Sequence, residues 1–264
     1  MKVAMIGDNC IDVYSNLNRY YETGNVVDTG VNLQMLGANV SMITTTGSDK
    51  YGDKIIALLQ KVGIDTSHTK VADGPTAITF MDMNGNDRVH GDYVEGVLEN
   101  MVFDEEDIRF ASTHDLVHSA LWGKADNILK DVKALKNTKI SFDYADRLDS
   151  PIIDSTIKYV DYGFFSYHGV RDEFIENFLK DKVDRGMSIA IATFGENGSL
   201  AYDGNKYYQC GIYPTTVVNT VGAGDAFISG FIYELLKGSS IDVCLDSGAK
   251  LSSKIIAVFE PWII

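Results

Sequence analysis

Short apolar runs alternate with helical patterns along most of this chain, and that alternation limits the possible folds more than any other feature. Residues 3–6 and 40–44 have the form of buried strands, and apolar residues recur at helical spacing in residues 26–36 and 51–62. The same alternation continues with predicted strands at 116–119, 140–143, 162–165 and 188–193 and predicted helices at 125–135, 152–158 and 173–182. We therefore predict a single α/β domain over residues 1–264, with helices on both faces of a mainly parallel sheet.

Two segments interrupt this alternation and are predicted to form a small sheet of their own. Residues 11–21 place apolar and polar side chains at nearly alternate positions, as in a half-exposed strand. Residues 76–83 and 87–93 flank an Asn-Gly-Asn turn and are predicted to form a hairpin. We expect these strands, at about residues 11–22 and 75–93, to form a β lid over a site. The remaining predicted elements are a hairpin at 200–210 and helices at 226–237 and 242–258.

The charge of the chain limits its partners. Asp and Glu total 37 against 23 Lys and Arg, which gives a formal net charge of −14. An acidic surface without dense runs of Lys or Arg repels nucleic acid and anionic lipid, so neither is an expected partner. An anionic ligand would need backbone amides, a few cations and a metal ion around it.

Cysteine usage and hydropathy favour a cytoplasmic protein. Cys10, Cys210 and Cys244 lie far apart in sequence without metal-ligand spacing, so we expect reduced core cysteines. No apolar run is long enough to cross a bilayer, and the first residues lack the apolar stretch of a signal peptide. A cytoplasmic location without membrane contact is the expectation.

The segment before the helix at 226–237 is the strongest candidate for chemistry, because small residues lie where that helix begins. Unpaired amides and the helix dipole favour an anion there, and glycine lets a phosphate approach the backbone. Gly222, Ala223 and Gly224 can therefore bind a phosphate, and Asp225 can hold an attacking hydroxyl. Viewed alone, Asp225 has an alternative interpretation as a helix cap.

Residues 220–227 resemble the C-terminal signature of the PfkB, or ribokinase-like, carbohydrate kinases. Further similarity lies in residues 6–12, 24–25, 47–52 and 193–199, so the resemblance spans essentially the whole chain. The resemblance implies a ribokinase-like three-layer α/β/α sandwich with a mainly parallel central sheet and a small β lid. It also implies ATP-dependent phosphorylation of a sugar hydroxyl, with Asp225 as the catalytic base beside an anion hole formed by the three residues that precede it.

The same resemblance assigns sugar-binding residues. Asp12 matches the family's sugar-binding Asp, and Gly24 with Asn25 matches a turn that contacts the sugar. Asp28 stands where family members often present Asn, and Arg88 in the lid would meet a phosphate or a substrate carboxylate. Plain structural interpretations stay open beside these roles: a strand-end Asp, a helix N-cap at Asn25, solvated helix surface at Asp28 and an exposed hairpin cation at Arg88.

The nucleotide site also follows from the resemblance. Thr193, Gly195 and Gly198 match the family's Thr-x-Gly-x-x-Gly turn beside the nucleotide, and Thr220 opens the C-terminal signature. An ordinary strand-to-turn exit is the alternative for Thr193 and Gly195. The expected phosphoryl donor is ATP with Mg²⁺, the ion being held mainly by phosphates and waters.

Two departures from the family leave the cation sites unassigned. Relatives commonly have Asp where this chain has Asn219, and that Asp helps to bind an activating potassium ion. An amide oxygen can still ligate a cation, but it carries no charge. The family's Asn-x-x-Glu motif has no clean match after the strand at 162–165, where the chain reads Ser-Tyr-His-Gly. No metal ligands are predicted, and potassium activation stays open.

A narrower resemblance concerns the substrate. Residues 6–12, 86–89, 91–93, 95–97 and 122–123 resemble a subgroup of the family that phosphorylates the 6-hydroxyl of an Amadori adduct of a sugar with lysine. The alternatives are a kinase for another ketose, ribose or a nucleoside, and a catalytically inactive sugar-binding regulatory protein. Family members often pair their lids, so the resemblance also implies a homodimer through the lid.

Three more residues lie near the predicted carboxyl edge of the sheet. Asp143 has two interpretations, as a ligand for substrate polar groups or magnesium-bound water and as a plain loop carboxylate. His118 and Trp122 are expected to be a core histidine and a packing tryptophan.

Overall fold

The strands and helices alternate along the chain as the sequence predicts. The computed structural model describes residues 1–85, 87–136 and 138–264, with residues 87 and 88 described by their backbone alone. The strands are β1 Lys2–Ile6, β2 Cys10–Tyr14, β3 Arg19–Thr23, β4 Asn39–Gly47, β5 Asp65–Ala72, β6 Ile78–Asn84, β7 Asp87–Val94, β8 Leu116–Ala120, β9 Lys139–Asp143, β10 Tyr162–Ser166, β11 Ile189–Thr193, β12 Ser199–Tyr202 and β13 Tyr207–Cys210. The helices are α1 Asn25–Leu36, α2 Lys50–Lys61, α3 Glu105–Ala111, α4 Leu129–Lys136, α5 Pro151–Thr156, α6 Glu173–Asp184, α7 Ala223–Leu236 and α8 Ile241–Ile255.

The central sheet is mainly parallel. Within the described residues its order is β13-β12-β11-β10-β9-β8-β1-β4-β5. Neighbouring strands are parallel from β11 through to β5, and β12 alone runs antiparallel to both of its neighbours. Parallel neighbours require crossover connections, which the helices supply. The carboxyl ends of β1, β8, β9, β10 and β11 therefore meet at one edge of the sheet.

Both faces of the sheet are covered by helices, because successive strand residues point to opposite sides. In β1, Val3 and Met5 belong to one core cluster and Ala4 and Ile6 to the other. Helices α1, α2, α7 and α8 pack on the first face, and α3, α4, α5 and α6 pack on the second. The three-layer α/β/α prediction is confirmed. Among the described helices, none combines the length and the apolar character needed to cross a membrane.

The lid is a separate four-stranded sheet in the described part of the chain, ordered β3-β2-β6-β7. Strands β6 and β7 form the predicted hairpin, and Gly85 has the positive φ, 62°, that its turn requires. The prediction of one strand over residues 11–21 is wrong, since β2 and β3 are antiparallel partners. The chain reverses through Ser15–Leu17 and Asn18, which has φ 48°. Asparagine tolerates this left-handed conformation, so no glycine marks the turn.

Two elements were not predicted, and one predicted helix starts late. Strand β5 lies at the sheet edge and is largely polar and half-exposed, so it lacks the apolar run of its neighbours. Helix α3 has one turn beyond a capping box formed by Asp104 and Asp107, and it is too short for a clear period. The helix expected at 125–135 begins only at Leu129.

Candidate active site

The N-terminus of α7 lies at the carboxyl edge of the sheet and has the geometry of an anion site. Gly222 adopts φ 71° and packs so closely on Pro261 that a Cβ would lie 2.5 Å from the proline ring. The helix begins at Ala223, and a Cβ placed on exposed Gly224 would meet no atom within 4 Å. Open space thus lies beside Gly224 at this helix start, where the helix dipole favours a negative group.

Asp225 connects this helix start to α1. The side chain is half-buried, and its Oδ1 accepts hydrogen bonds from Asn25 Nδ2 and from Thr29 Oγ1, each at 3.4 Å. Both distances are long for such bonds, so neither holds the carboxylate tightly. The carboxylate therefore stands between two helix N-terminal regions, where a hydroxyl between the helices can reach it. These bonds run across to α1, a role that the helix-cap interpretation of Asp225 does not account for.

Two further aspartates bring negative charge to the same place. Asp28 is 3% exposed, and its Oδ2 accepts a 2.6 Å hydrogen bond from Thr23 Oγ1. Burial, and then the nearby charge of Asp225, raises the pKa of Asp28 well above its usual range. Asp12 on β2 is 5% exposed and adds to this effect. The solvated-surface interpretation of Asp28 is therefore wrong.

The turn before α1 holds Asn25 in place. Gly24 has φ 131°, and a Cβ there would lie 2.8 Å from both the Cα of Asn9 and the carbonyl oxygen of Asp8. Gly24 is the N-cap and Asn25 is the first helical residue, so the N-cap interpretation of Asn25 is also wrong. Since glycine has no side chain, Asp8 takes the capping role, its Oδ2 accepting from the Asn25 amide at 3.0 Å.

Sequence reasoning did not select Asp8. It is 7% exposed, and burial raises the pKa of its carboxyl despite hydrogen bonds from backbone amides. Its Oδ1 is buried and has no hydrogen-bond partner among the described residues. The only signal in the sequence is its position directly after a buried strand, where polar residues of α/β proteins often reach a site.

The lid presents one face to these aspartates. Asp12 pairs with Tyr21 on β3 and with Thr79 on β6, and Thr79 pairs in turn with Tyr93 on β7. Paired residues of neighbouring strands share a face, so these four side chains form one row across the lid. Arg88 is paired with Met83 in the backbone of the hairpin. Its side chain lies outside the described residues, so the prediction of a binding role for Arg88 stays a prediction.

The predicted nucleotide turn also lies at the carboxyl edge. Thr193 ends β11, and Gly195 follows with φ 56° and open space where a Cβ would stand. Gly198 has a packing requirement instead, because a Cβ there would lie 2.2 Å from the Cys210 carbonyl oxygen. Thr220 immediately precedes the α7 turn, and its carbonyl oxygen accepts from the Ala223 amide at 3.4 Å.

The residues left open by sequence have distinct surroundings. His118 is fully buried beside Ser141 Oγ, 2.7 Å from its Nδ1, and burial lowers its pKa to about 3, so the core-histidine expectation is confirmed. Trp122 is 52% exposed, and the packing-tryptophan expectation is therefore wrong. Its indole follows the carboxyl end of β8, where it does not need to enter the core.

Asn219 is buried, and its side-chain amide links two parts of the backbone. Its Nδ2 donates to the Phe259 carbonyl oxygen at 2.9 Å, and its Oδ1 accepts from the Val221 amide at 3.1 Å. Both ends of the amide are thus engaged within the chain. Among the described residues, no group of three or more His, Cys, Asp or Glu side chains is placed to hold a metal ion.

The fold and the helix-terminal site together define a ribokinase-like kinase. The structure of a putative ribokinase II from E. coli in complex with ATP and Mg²⁺ matches with a TM-score of 0.83 at 19% identity, covering 98% of this chain and 94% of that one. The pfkB family carbohydrate kinase model matches residues 24–260. The protein belongs to the pfkB family of carbohydrate kinases.

Two relatives are named as kinases of related compounds. The chain is 36% identical over 260 residues to fructoselysine 6-kinase of Escherichia coli (strain K12), covering 98% of this chain and 99% of that one. It is 26% identical over 264 residues to fructosamine kinase FrlD of Bacillus subtilis (strain 168), covering 98% and 92%.

Proposed function

We propose that this kinase transfers the γ-phosphoryl group of ATP to the 6-hydroxyl of fructoselysine. The observation that carries the proposal is the position of Asp225. It lies in the first turn of α7, directly after the exposed Gly224, and is bonded to Asn25 and Thr29 of α1. A carboxylate and an anion site are thus adjacent, as phosphoryl transfer to a hydroxyl requires.

In the proposed reaction, Asp225 orients the substrate hydroxyl and accepts its proton as the new O–P bond forms and the bond to ADP breaks. The first-turn amides of Ala223 and Gly224 stabilise negative charge on the transferring group. The Mg²⁺ that accompanies ATP would neutralise phosphate charge. Since the described residues include no group of three metal ligands, we propose that phosphates and waters hold this ion. Thr193, Gly195 and Thr220 are proposed to line the nucleotide site.

The substrate assignment is supported by the acidic, polar floor of the site. Asp12 and Asp28 offer carboxylate oxygens, which accept hydrogen bonds from neighbouring sugar hydroxyls. The full-length similarity to fructoselysine 6-kinase supports an Amadori adduct over a plain ketose, ribose or nucleoside. The narrower resemblance over residues 6–12 and 122–123 points in the same direction.

An ADP-release assay tests the proposal. The purified protein is given ATP and Mg²⁺ with fructoselysine, fructose, ribose or a nucleoside, each over a range of concentrations. We expect fructoselysine to give the highest kcat/KM. A higher value for one of the other sugars would assign the kinase to that sugar, and no release above buffer with any of them would leave an inactive sugar-binding protein as the better description.

We further propose that two copies pair through their lids. Tyr20, Phe80 and Val94 are exposed apolar side chains on the lid, and β3 and β7 are its edge strands. Exposed sheet edges and apolar patches are usually covered in assembled proteins. Sedimentation equilibrium should give twice the 29.1 kDa chain mass, and a monomer mass at micromolar concentration would refute the dimer.

A further inference from the structure

On one side of the site, two buried carboxylates have no cationic partner among the described residues. Asp8 and Asp143 are 7% and 9% exposed, and neither forms an ion pair with any Lys, Arg or His in the described ranges of the chain. Asp8 Oδ1 is buried and accepts no hydrogen bond from the described residues. Removing a carboxylate from water without a counter-charge is unfavourable, so a pair of them at a ligand site favours a cationic ligand.

The two carboxylates lie near enough along the carboxyl edge for the charge of Asp8 to act on Asp143. Asp8 follows β1 and Asp143 ends β9, and these strands flank β8 in the sheet, about 10 Å apart at the usual strand spacing. Burial, followed by the charges of Asp8 and Asp146, raises the pKa of Asp143 to about 6. Asp143 Oδ1 accepts from the Ala145 amide at 2.9 Å. Its other oxygen has no hydrogen-bond partner within the described residues.

A metal ion held by protein side chains alone does not fit these two carboxylates. Divalent cations take several oxygen ligands, and the described residues include no group of three or more suitable side chains. An ammonium nitrogen needs only one or two carboxylates and brings its own hydrogen-bond donors. The adduct of a ketose with an amine carries such a nitrogen next to the sugar carbon chain.

The neighbouring side chains suit the rest of such a ligand. Trp122 follows β8, which lies between the two aspartates, and exposes half of its surface. The guanidinium of Arg147 lies 6.0 Å from the centre of the Trp122 ring. An aromatic face next to a carboxylate can cover an alkyl chain while the carboxylate binds the ammonium group.

We infer that Asp143, with the charge of Asp8 behind it, binds the ammonium nitrogen of the sugar–amine adduct, and that Trp122 covers the carbon chain attached to it. This inference rests on the proposed function and extends it. Asp143 becomes the residue that distinguishes a cationic adduct from a neutral sugar. Asp225 and the α7 amides act on the hydroxyl and the phosphate, at the other end of the substrate.

The test compares fructoselysine with an analogue in which an ether oxygen replaces the amine nitrogen, so that only the charge changes. For the unmodified protein, we expect the KM for fructoselysine to be about tenfold to a hundredfold lower than that for the ether, the effect of a charge-assisted hydrogen bond. This comparison needs no variant. Equal KM values would overturn the inference while leaving the kinase activity, and so the proposed function, intact.

Asp143→Asn locates the effect, because asparagine keeps the shape and the bond from the Ala145 amide. We expect its KM for fructoselysine to rise about tenfold or more. Its kcat and its KM for the ether should stay within about threefold. The matched control is Asp149→Asn, an exposed carboxylate on the same loop, whose kinetics should not change. An equal rise for both substrates would show a structural role and overturn the assignment. No turnover of fructoselysine by the unmodified protein would instead refute the proposed function, and the inference with it.

Discussion

The two ends of β9 lie beside buried carboxylates with opposite surroundings. Lys139 begins the strand and forms an ion pair at 2.9 Å with Asp161, which also pairs with Lys133 at 2.5 Å. Asp143 ends the strand four residues later and forms no ion pair with any described residue. Burial alone would raise the pKa of Asp161, but the two lysines and the Ile140 amide hold it below its usual value. The pKa of Asp143 is raised to about 6.

The difference separates the charges that stabilise the fold from those that serve the site. Asp107 belongs to the first group, since it is 1% exposed and pairs with Lys70 and His68 to join α3 to β5. Asp8 and Asp28 resemble Asp143, because both are buried, have raised pKa values and lack an ion pair within the described chain. Uncompensated carboxylates concentrate at the carboxyl edge, where a ligand can supply their partners.

The largest expected effect lies at the reacting end of the site. Asp225→Asn should lower kcat by about 10²–10⁴-fold, because the substrate hydroxyl loses its proposed proton acceptor. ATP affinity, measured by calorimetry, should change little. Asp242→Asn, in the first turn of α8, is the matched control and should keep full activity. Retained turnover in Asp225→Asn would remove Asp225 as the base.

Introducing a buried carboxylate at another position measures how much an uncompensated charge lowers the free energy of unfolding. Asn219→Asp places a negative group against the Phe259 carbonyl oxygen, to which the present amide donates. We expect the free energy of unfolding in sodium buffer to fall by about 3 kcal/mol. A loss below about 0.5 kcal/mol would show that a cation or water already compensates the site. Recovery of stability on replacing sodium by potassium would reveal a latent potassium site.

Breaking the paired end of β9 should affect stability without affecting catalysis. Asp161→Asn leaves Lys133 and Lys139 without their shared partner, and we expect a loss of about 2–3 kcal/mol in urea unfolding. Its KM and kcat should stay unchanged. Asp154→Asn breaks an exposed pair with Arg185 and should cost less than about 1 kcal/mol. A kinetic defect in Asp161→Asn would contradict the proposed division between the two ends.

Removing the charge of Asp143, at the other end of β9, should stabilise the protein. The folded-state pKa of Asp143, about 6, exceeds the ordinary value of 3.8, so the folded protein loses stability as this carboxyl ionises between about pH 4 and pH 6. A shift of about 2 units corresponds to about 3 kcal/mol. The buried amide of asparagine offsets part of this gain. Asp143→Asn should therefore stabilise the protein by about 1–2 kcal/mol at pH 7.5.

Measuring unfolding from pH 4 to pH 8 checks the sign. The advantage of Asp143→Asn should be present above pH 6 and should be lost as the pH falls towards the ordinary pKa of 3.8, below which the native carboxyl is protonated in both the folded and the unfolded state. The charges that face Asp143 are those of Asp8 and Asp146, and His168 lies 3.6 Å from Asp146. A variant less stable than the native protein at pH 7.5 would show that Asp143 has a compensating partner.

Much of the fold could be predicted because its signals are local. The apolar runs of β1 and β4 and the glycine before α7 each fix an element within a few residues. Strand β5 was not predicted because it lies at the sheet edge, where a half-exposed strand does not require an apolar run. The lid strands β2 and β3 were merged because Asn18 turns the chain without a glycine.

Sequence motifs predicted the part of the site that is contiguous in sequence. The Asp225 segment is contiguous in sequence, whereas Asp8 and Asp143 are brought near each other by the strand order alone. Strand order is a tertiary property, and neither residue has a neighbour in sequence that reveals it. The burial of Asp28 likewise depends on α7 packing against α1, which no spacing along the chain displays.

A competition between substrates measures most directly whether this pfkB-family kinase phosphorylates a sugar–amine adduct, as proposed. The protein is incubated with limiting ATP, Mg²⁺ and an equimolar mixture of fructoselysine, fructose and ribose, and the phosphorylated products are separated and identified by mass and by NMR. We expect nearly all of the phosphate on the 6-hydroxyl of fructoselysine. Phosphate mainly on fructose or ribose, or on another hydroxyl of the adduct, would contradict it.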